Sequence, residues 1–276
     1  MNLTLGFSPC PNDTFIFYAM IHARVDCEGL EFVPYISDVE DLNRKAFTNE
    51  IDITKLSFHA FIYLQENYIL LNSGSALGNN CGPLLISKRK INADEIEQCK
   101  IAIPGKYTTA SLLLKTFFPT ATNTTELVFS DIENALLEEK FDAGVIIHEN
   151  RFTYEKKGLK KIADLGELWE TKTKHPIPLG GIVARRNFEN ELLQKINRVM
   201  KRSVEFAFAN TEEVMHYVKK YSQEMEEAVM KQHIALYVNN YTIDLGEKGK
   251  DAIAVLFNYA KANGIVEEVR EDLFVR

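Results

Sequence analysis

The chain has 276 residues, 46% apolar and 26% charged, with 32 Lys and Arg against 39 Asp and Glu for a formal net charge of −7. This length can bury the core of one large α/β domain or of two lobes, and this composition excludes extensive disorder. A net negative chain lacks the basic face that nucleic acid requires, whereas a small anion needs only a few placed cations and amides.

Short apolar runs alternate with amphipathic stretches through the first half, the pattern of a largely parallel sheet flanked by helices. Leu3–Phe7 reads as a strand, followed by the loop Ser8-Pro9-Cys10-Pro11-Asn12. Asn12 or Asp13 is placed to cap a helix running to about Arg24. Glu31–Ile36 is a second strand, and Ser37-Asp38-Val39-Glu40 has the spacing of a capping box opening a helix to about Thr48. Ile51–Leu56 is a third strand, and Ser57 is placed to cap a helix through Leu64.

Beyond Ser87 the pattern begins again. Lys100–Ile103 is a strand, Pro104-Gly105-Lys106-Tyr107 a turn, and Thr108–Phe118 a helix. Asp131–Glu139 is helical, and the apolar strand Phe141–Ile147 stops at His148. Pro176–Arg186 is strand-like, and Glu189–Ala262 is mostly helical, with breaks near Asn210, Tyr221–Ser222 and Tyr241–Gly246. With no flexible linker in view, two lobes would be joined by short crossings near Ser87–Ile91 and Gly181–Arg186. That predicts lobe one over 1–88 and 184–276 and an inserted lobe two over 89–183. The strand-to-helix turns of both would then face one ligand cleft, although a single doubly wound domain has the same local pattern.

Several chemistries have no support. Cys10, Cys27, Cys81 and Cys99 have neither CxxC nor Cys–His ligand spacing, so no metal site is expected. No GxGxxG, GxxxxGK[ST], HExxH or GxSxG motif occurs. The start of the sequence does not read as a signal peptide, no apolar run is long enough for a membrane span, and reduced thiols suit a cytoplasmic protein.

Three segments are placed to do chemistry. At Pro104–Ala110 a strand, a glycine turn and two threonines lead into a helix, whose first-turn amides form an anion site unless Thr108 is merely a cap. Ile53–His59 delivers Lys55 and Ser57 to a helix start on the same side of a strand, unless Lys55 is simply exposed. Val145–Arg151 ends an apolar strand in His148, whose side chain suits proton transfer near neutrality. His59 is the reserve candidate, while His22, His216 and His233 fall within predicted helices and His175 precedes a proline.

These segments together resemble one family. Ser8-Pro9-Cys10-Pro11-Asn12-Asp13-Thr14-Phe15, Thr54-Lys55-Leu56-Ser57-Phe58-His59-Ala60 and Gly82-Pro83-Leu84-Leu85 carry the likeness in the first lobe. Pro104-Gly105-Lys106, Thr108-Thr109-Ala110 and Ile147-His148-Glu149-Asn150-Arg151-Phe152-Thr153-Tyr154 carry it in the second, and Pro176-Ile177-Pro178-Leu179-Gly180-Gly181 in the return crossing. The chain resembles the 1,4-dihydroxy-6-naphthoate synthases of the futalosine route to menaquinone, in distinctive motifs over residues 1–185. The resemblance implies a periplasmic-binding-protein-like α/β fold of two lobes. It also implies a lyase that converts cyclic dehypoxanthinylfutalosine to 1,4-dihydroxy-6-naphthoate and dihydroxyacetone, without metal or organic cofactor. Carried over by residue, the substrate contacts fall on Lys55, Leu56, Ser57, Thr109 and Ala110, and the proton acceptor on His148. The rival readings are the chorismate dehydratase of the same route and a non-catalytic small-anion-binding protein.

Overall fold

The computed structural model describes residues 1–222 and 226–276; within the predicted helical tail, residues 223–225 lie outside the described residues. The chain forms two compact units, Met1–Gly78 with Pro178–Arg276, and Asn79–Ile177. The first unit opens with β1 (Asn2–Phe7), α1 (Pro11–Ile21), β2 (Glu31–Ile36), α2 (Val39–Phe47), β3 (Ile53–Ser57), α3 (Phe58–Tyr63), β4 (Tyr68–Leu70) and β5 (Ala76–Gly78). The second contains β6 (Leu84–Ser87), β7 (Ile101–Ile103), α4 (Thr109–Phe117), β8 (Thr124–Glu126), α5 (Ile132–Leu137), β9 (Ala143–Ile146), β10 (Lys160–Asp164) and α6 (Leu165–Thr173). The chain returns through β11 (Ile177–Arg185) to α7 (Asn190–Ala209), α8 (Thr211–Tyr221), α9 (Glu227–Tyr237), α10 (Asn240–Ile243) and α11 (Gly246–Ala262).

The sheet of the first unit runs β2-β1-β3-β11-β4, with β5 also paired to β11. Its β1 is parallel to β2 and β3, and β11 returns antiparallel between β3 and β4. The sheet of the second unit runs β10-β6-β9-β7-β8. There β7 is parallel to β8 and β9, while β6 is antiparallel to β9 and β10. The division between units therefore falls earlier than the predicted boundaries after residues 88 and 183. Leu84–Ser87 is hydrogen-bonded along β9 and β10, and Ile177–Arg185 along β3 and β4, so each crossing comes ahead of its strand.

The first unit's core joins Leu3, Leu5 and Phe7 of β1 to Phe15, Ile16 and Met20 of α1 and to Ile196, Val199 and Met200 of α7. α1 packs against α7, α8 and α9, and its apolar residues Phe15, Ile16, Phe17, Ala19 and Met20 are buried on several sides of the helix, as a buried helix requires. The second unit's core gathers Leu84, Ile86, Ala102, Ile132, Leu136 and Ile146. Among the described residues no helix is long and apolar enough to cross a membrane.

The caps differ from expectation by a residue or two. α1 starts at Pro11 behind Cys10 rather than behind Asn12 or Asp13, because proline fits a first helical position whose amide has no partner. Asp38, not Ser37, caps α2, its carboxylate accepting from the amides of Glu40 and Asp41. Ser57 stands at the N-cap of α3 without a side-chain cap bond.

Leu5 is fully buried where β1 pairs with both neighbours, at the level of Pro34 and Ile53. Leu5→Ala should cost about 2–5 kcal/mol in urea unfolding. Val33→Ala, on the exposed side of β2, should stay within about 0.5 kcal/mol. Equal effects would show that β1 is not central to this core.

Candidate functional site

In the first unit, β1 and β3 are parallel, so Ser8 and Lys55–Ser57 emerge at the same end of the sheet. Asp13 lies in the first turn of α1, where the helix dipole favours an anion. Its Oδ2 accepts from the Ser8 amide at 3.1 Å and the Ser8 hydroxyl at 2.7 Å. Its Oδ1 accepts from Asn12 Nδ2 at 2.8 Å and from Lys55 Nζ at 3.0 Å. Asp13 is 1% exposed and Lys55 6%, so this is a buried ion pair and not the exposed lysine of a plain capped helix. With the Asn12 nitrogen donating to Asp13, its oxygen is the acceptor, and Nε2 of His233 on α9 donates to it across 2.8 Å.

Leu56 and Ser57 complete this corner. The Ser57 amide donates to Asn43 Oδ1 at 3.0 Å, and Asn43 Nδ2 donates to Ser57 Oγ at 3.2 Å, which draws the hydroxyl away from a capping role. Gly180 faces this stretch from β11. A Cβ there would lie 2.7 Å from the Leu56 carbonyl oxygen and 3.2 Å from Lys55 Cε. Bare backbone at Gly180 leaves the room that the lysine side chain occupies.

In the second unit, β7 and β9 are parallel neighbours, so the turn before α4 and the residues after β9 leave the sheet at one end. Gly105 has φ 139°, a conformation open to glycine. Its carbonyl accepts from Thr108 Oγ1 at 2.9 Å and from the Ser111 hydroxyl. Thr108 is the N-cap, accepting from the Ser111 amide at 3.2 Å. Capping therefore belongs to Thr108, while Thr109 and Ala110 are the first residues of the helix and both buried. Their amides precede any intrahelical acceptor and lie at the positive end of the dipole.

His148 opens a 3-10 turn, His148–Phe152, just past β9. Its φ is 59°, a left-handed conformation that costs of the order of 1–3 kcal/mol in a residue other than glycine. The Phe129 ring meets the imidazole edge-on, with centroids 4.9 Å apart and planes at 66°. Arg151, further along the turn, donates to the Gly82 carbonyl and, at 3.1 Å, to Asp164 Oδ2. The same Asp164 caps α6 through its other oxygen.

Two other groups here are held protonated. Burial pushes the Cys81 thiol up to about 12, which removes it as a thiolate nucleophile at neutral pH. Burial, and then the hydrogen bond to Glu155, pushes the Tyr154 phenol up to about 12. Sequence reasoning missed Asp13 and His233 as members of the first corner and Phe129 as the contact of His148. The available signal for His233 was its place on the apolar face of α9, with Met230, Ile234 and Tyr237 also buried.

The profile of a family described as menaquinone biosynthesis matches residues 3–262. The 1,4-dihydroxy-6-naphthoate synthase of Thermus thermophilus is 40% identical over 273 residues, 99% of this chain and 99% of its own. That of Streptomyces coelicolor is 40% identical over 278 residues, covering 98% of this chain and 96% of its own. A Candida albicans protein reported to exhibit the generic periplasmic-binding-protein fold is 15% identical, with a TM-score of 0.69 over 99% of this chain and 93% of its own. The fold is periplasmic-binding-protein-like.

Asp13→Asn keeps the shape at the corner but leaves the Lys55 ammonium buried without its counter-ion. It should cost about 3–5 kcal/mol in urea unfolding, and adding Lys55→Met should recover most of that loss. A loss below about 1 kcal/mol would place the pair among solvated ion pairs.

Proposed function

The chain belongs to the menaquinone biosynthesis family, and from that membership we propose that it is a 1,4-dihydroxy-6-naphthoate synthase. The observation that carries this reading is the end-to-end match to a synthase of that name, 40% identical over 99% of each chain. The proposed reaction is a carbon–carbon lyase step in the cytoplasm. It converts cyclic dehypoxanthinylfutalosine to 1,4-dihydroxy-6-naphthoate and dihydroxyacetone.

In this mechanism the α4 N-terminus holds a substrate oxyanion, the aryl carboxylate, through the amides of Thr109 and Ala110 and the Thr109 hydroxyl. Lys55, Leu56 and Ser57 supply further contacts. Because Lys55 Nζ is paired with Asp13, the contacts assigned to this strand are those of Ser57 and of the backbone. His148 is the base. It takes a proton from the sugar-derived part of the substrate, the carbon–carbon bond breaks, and the imidazolium returns the proton to the leaving fragment. Formation of the aromatic diol drives the cleavage, so orientation and proton movement are what the protein contributes.

Incubation with cyclic dehypoxanthinylfutalosine should yield the naphthoate and dihydroxyacetone by mass spectrometry. His148→Ala should fold and bind but lose about 10²–10⁴ in kcat, and His148→Asn, unable to accept the proton, should be nearly as impaired. Wild-type kcat should fall on the acid side of the profile as imidazole becomes protonated. An active His148→Asn would make His148 a binding residue and pass the base to His59 or a carboxylate. Binding without any turnover by the wild type would leave a receptor. Thr109→Ala removes a donor to a charged group worth about 1.5–3 kcal/mol and should raise KM roughly ten- to a hundredfold. Unchanged KM and kcat would reduce Thr109 to a helix-start residue.

A further inference from the structure

The left-handed backbone at His148 needs something to hold it, and the second unit supplies a buried acid beside it. Asn150, two residues on, donates from Nδ2 to Glu133 Oε2 at 2.9 Å. Lys157 Nζ, at the end of the following 3-10 turn, reaches the same oxygen at 2.6 Å. Glu133 lies on α5 and is 2% exposed, and its Oε1 is buried without a hydrogen-bond partner among the described residues. Among the described residues, both hydrogen bonds to this carboxylate thus come from residues 148–157. Phe129, four residues before Glu133, makes a T-shaped ring contact with the imidazole. One short segment, 129–137, therefore touches His148 and also pins the turn that follows it.

An ion pair with Lys157 alone does not account for this arrangement. The lysine side chain is 46% exposed, and a surface pair does not require its carboxylate to be taken out of water. Burying an acid is costly unless its donors are well placed, and here both donors belong to the stretch that starts with His148. We propose that Glu133 is a positioning residue for His148, acting through Asn150 to fix the turn that holds the imidazole in place. The proposal rests on the reading of His148 as the base, and Glu133 itself touches neither substrate nor reacting atoms.

The test is steady-state kinetics on the whole chain with cyclic dehypoxanthinylfutalosine, with thermal melting run on the same samples. Glu133→Ala should lower kcat by about ten- to a hundredfold while KM stays within about threefold, because a small misplacement of a base affects turnover more than binding. Glu133→Gln keeps an acceptor for Asn150 and should restore kcat to within about threefold of wild type, although the charge facing Lys157 is gone. The double variant Glu133→Ala with Asn150→Ala should be no slower than the slower single variant, as expected of residues acting as one unit. A wild-type kcat in Glu133→Ala, or losses that multiply in the double variant, would overturn the proposal. Should Glu133→Ala fail to fold, Asn150→Ala decides alone, a normal kcat overturning the inference and a reduced one supporting it. A fully active His148→Ala would remove the base reading and this inference together. An impaired His148→Ala beside a normal Glu133→Ala would remove the inference alone.

Discussion

A carboxylate buried to the extent of Asp13 must be paired and fully hydrogen-bonded, or it protonates or unfolds the protein. Asp13 meets this condition with donors from three parts of the chain: Ser8 after β1, Asn12 in the first turn of α1, and Lys55 in β3. Asn12 extends the arrangement to His233 on α9. Each partner fixes the others. The strand end, the helix start and the neighbouring strand have a common reference point, and the apolar girdle of α1 against α7, α8 and α9 keeps that helix from shifting. The cost of leaving one member unpaired makes the corner behave as a unit rather than as separate contacts.

The second unit reaches a comparable rigidity through its backbone. Gly105 takes a conformation available to glycine and turns its carbonyl toward the hydroxyls of Thr108 and Ser111. That fixes the direction in which the first amides of α4 point. One strand away, His148 takes a left-handed conformation with a full side chain, and such strain persists only where neighbours over-determine it. Phe129 bounds the ring, Glu133 holds Asn150, and Arg151 is tied to Gly82 and Asp164.

Much of this was legible in the sequence wherever the signal was local. β1, β2, β3, β9 and α4 have clear periodicity or turn chemistry, and the loops after them contain the segments that pointed to Lys55, Ser57, Thr109 and His148. The strands Tyr68–Leu70, Ala76–Gly78 and Thr124–Glu126 are too short to show a period. The unit boundaries were displaced because Leu84–Ser87 reads equally well as the last strand of one sheet or the first of the next. Only pairing with β9 and β10 decides it. The partners of the site residues were out of reach for a different reason. Lys55 and Asp13 are 42 positions apart and Asn12 and His233 are 221 apart, so nothing in the local pattern joins them. The family motifs pointed to these strand ends without showing that the Lys55 ammonium is committed to Asp13.

A periplasmic-binding-protein-like fold does not by itself distinguish a receptor from an enzyme, since function lies in the site and not in the scaffold. Recognition of an anion needs donors at fixed positions, and a capped helix start such as that of α4 supplies them without backbone strain. Holding His148 left-handed costs of the order of 1–3 kcal/mol, and that recurs in every molecule whether or not ligand is present. The buried Glu133 adds a desolvation cost, offset by donors from the turn that His148 begins. Both costs preorganise the turn, which serves a ligand contact by sparing it an ordering cost on binding and serves a base by fixing its nitrogen near the proton it removes. The strained backbone at His148 therefore fits the proposed base, while the choice of an enzyme over a receptor rests on the match to known synthases.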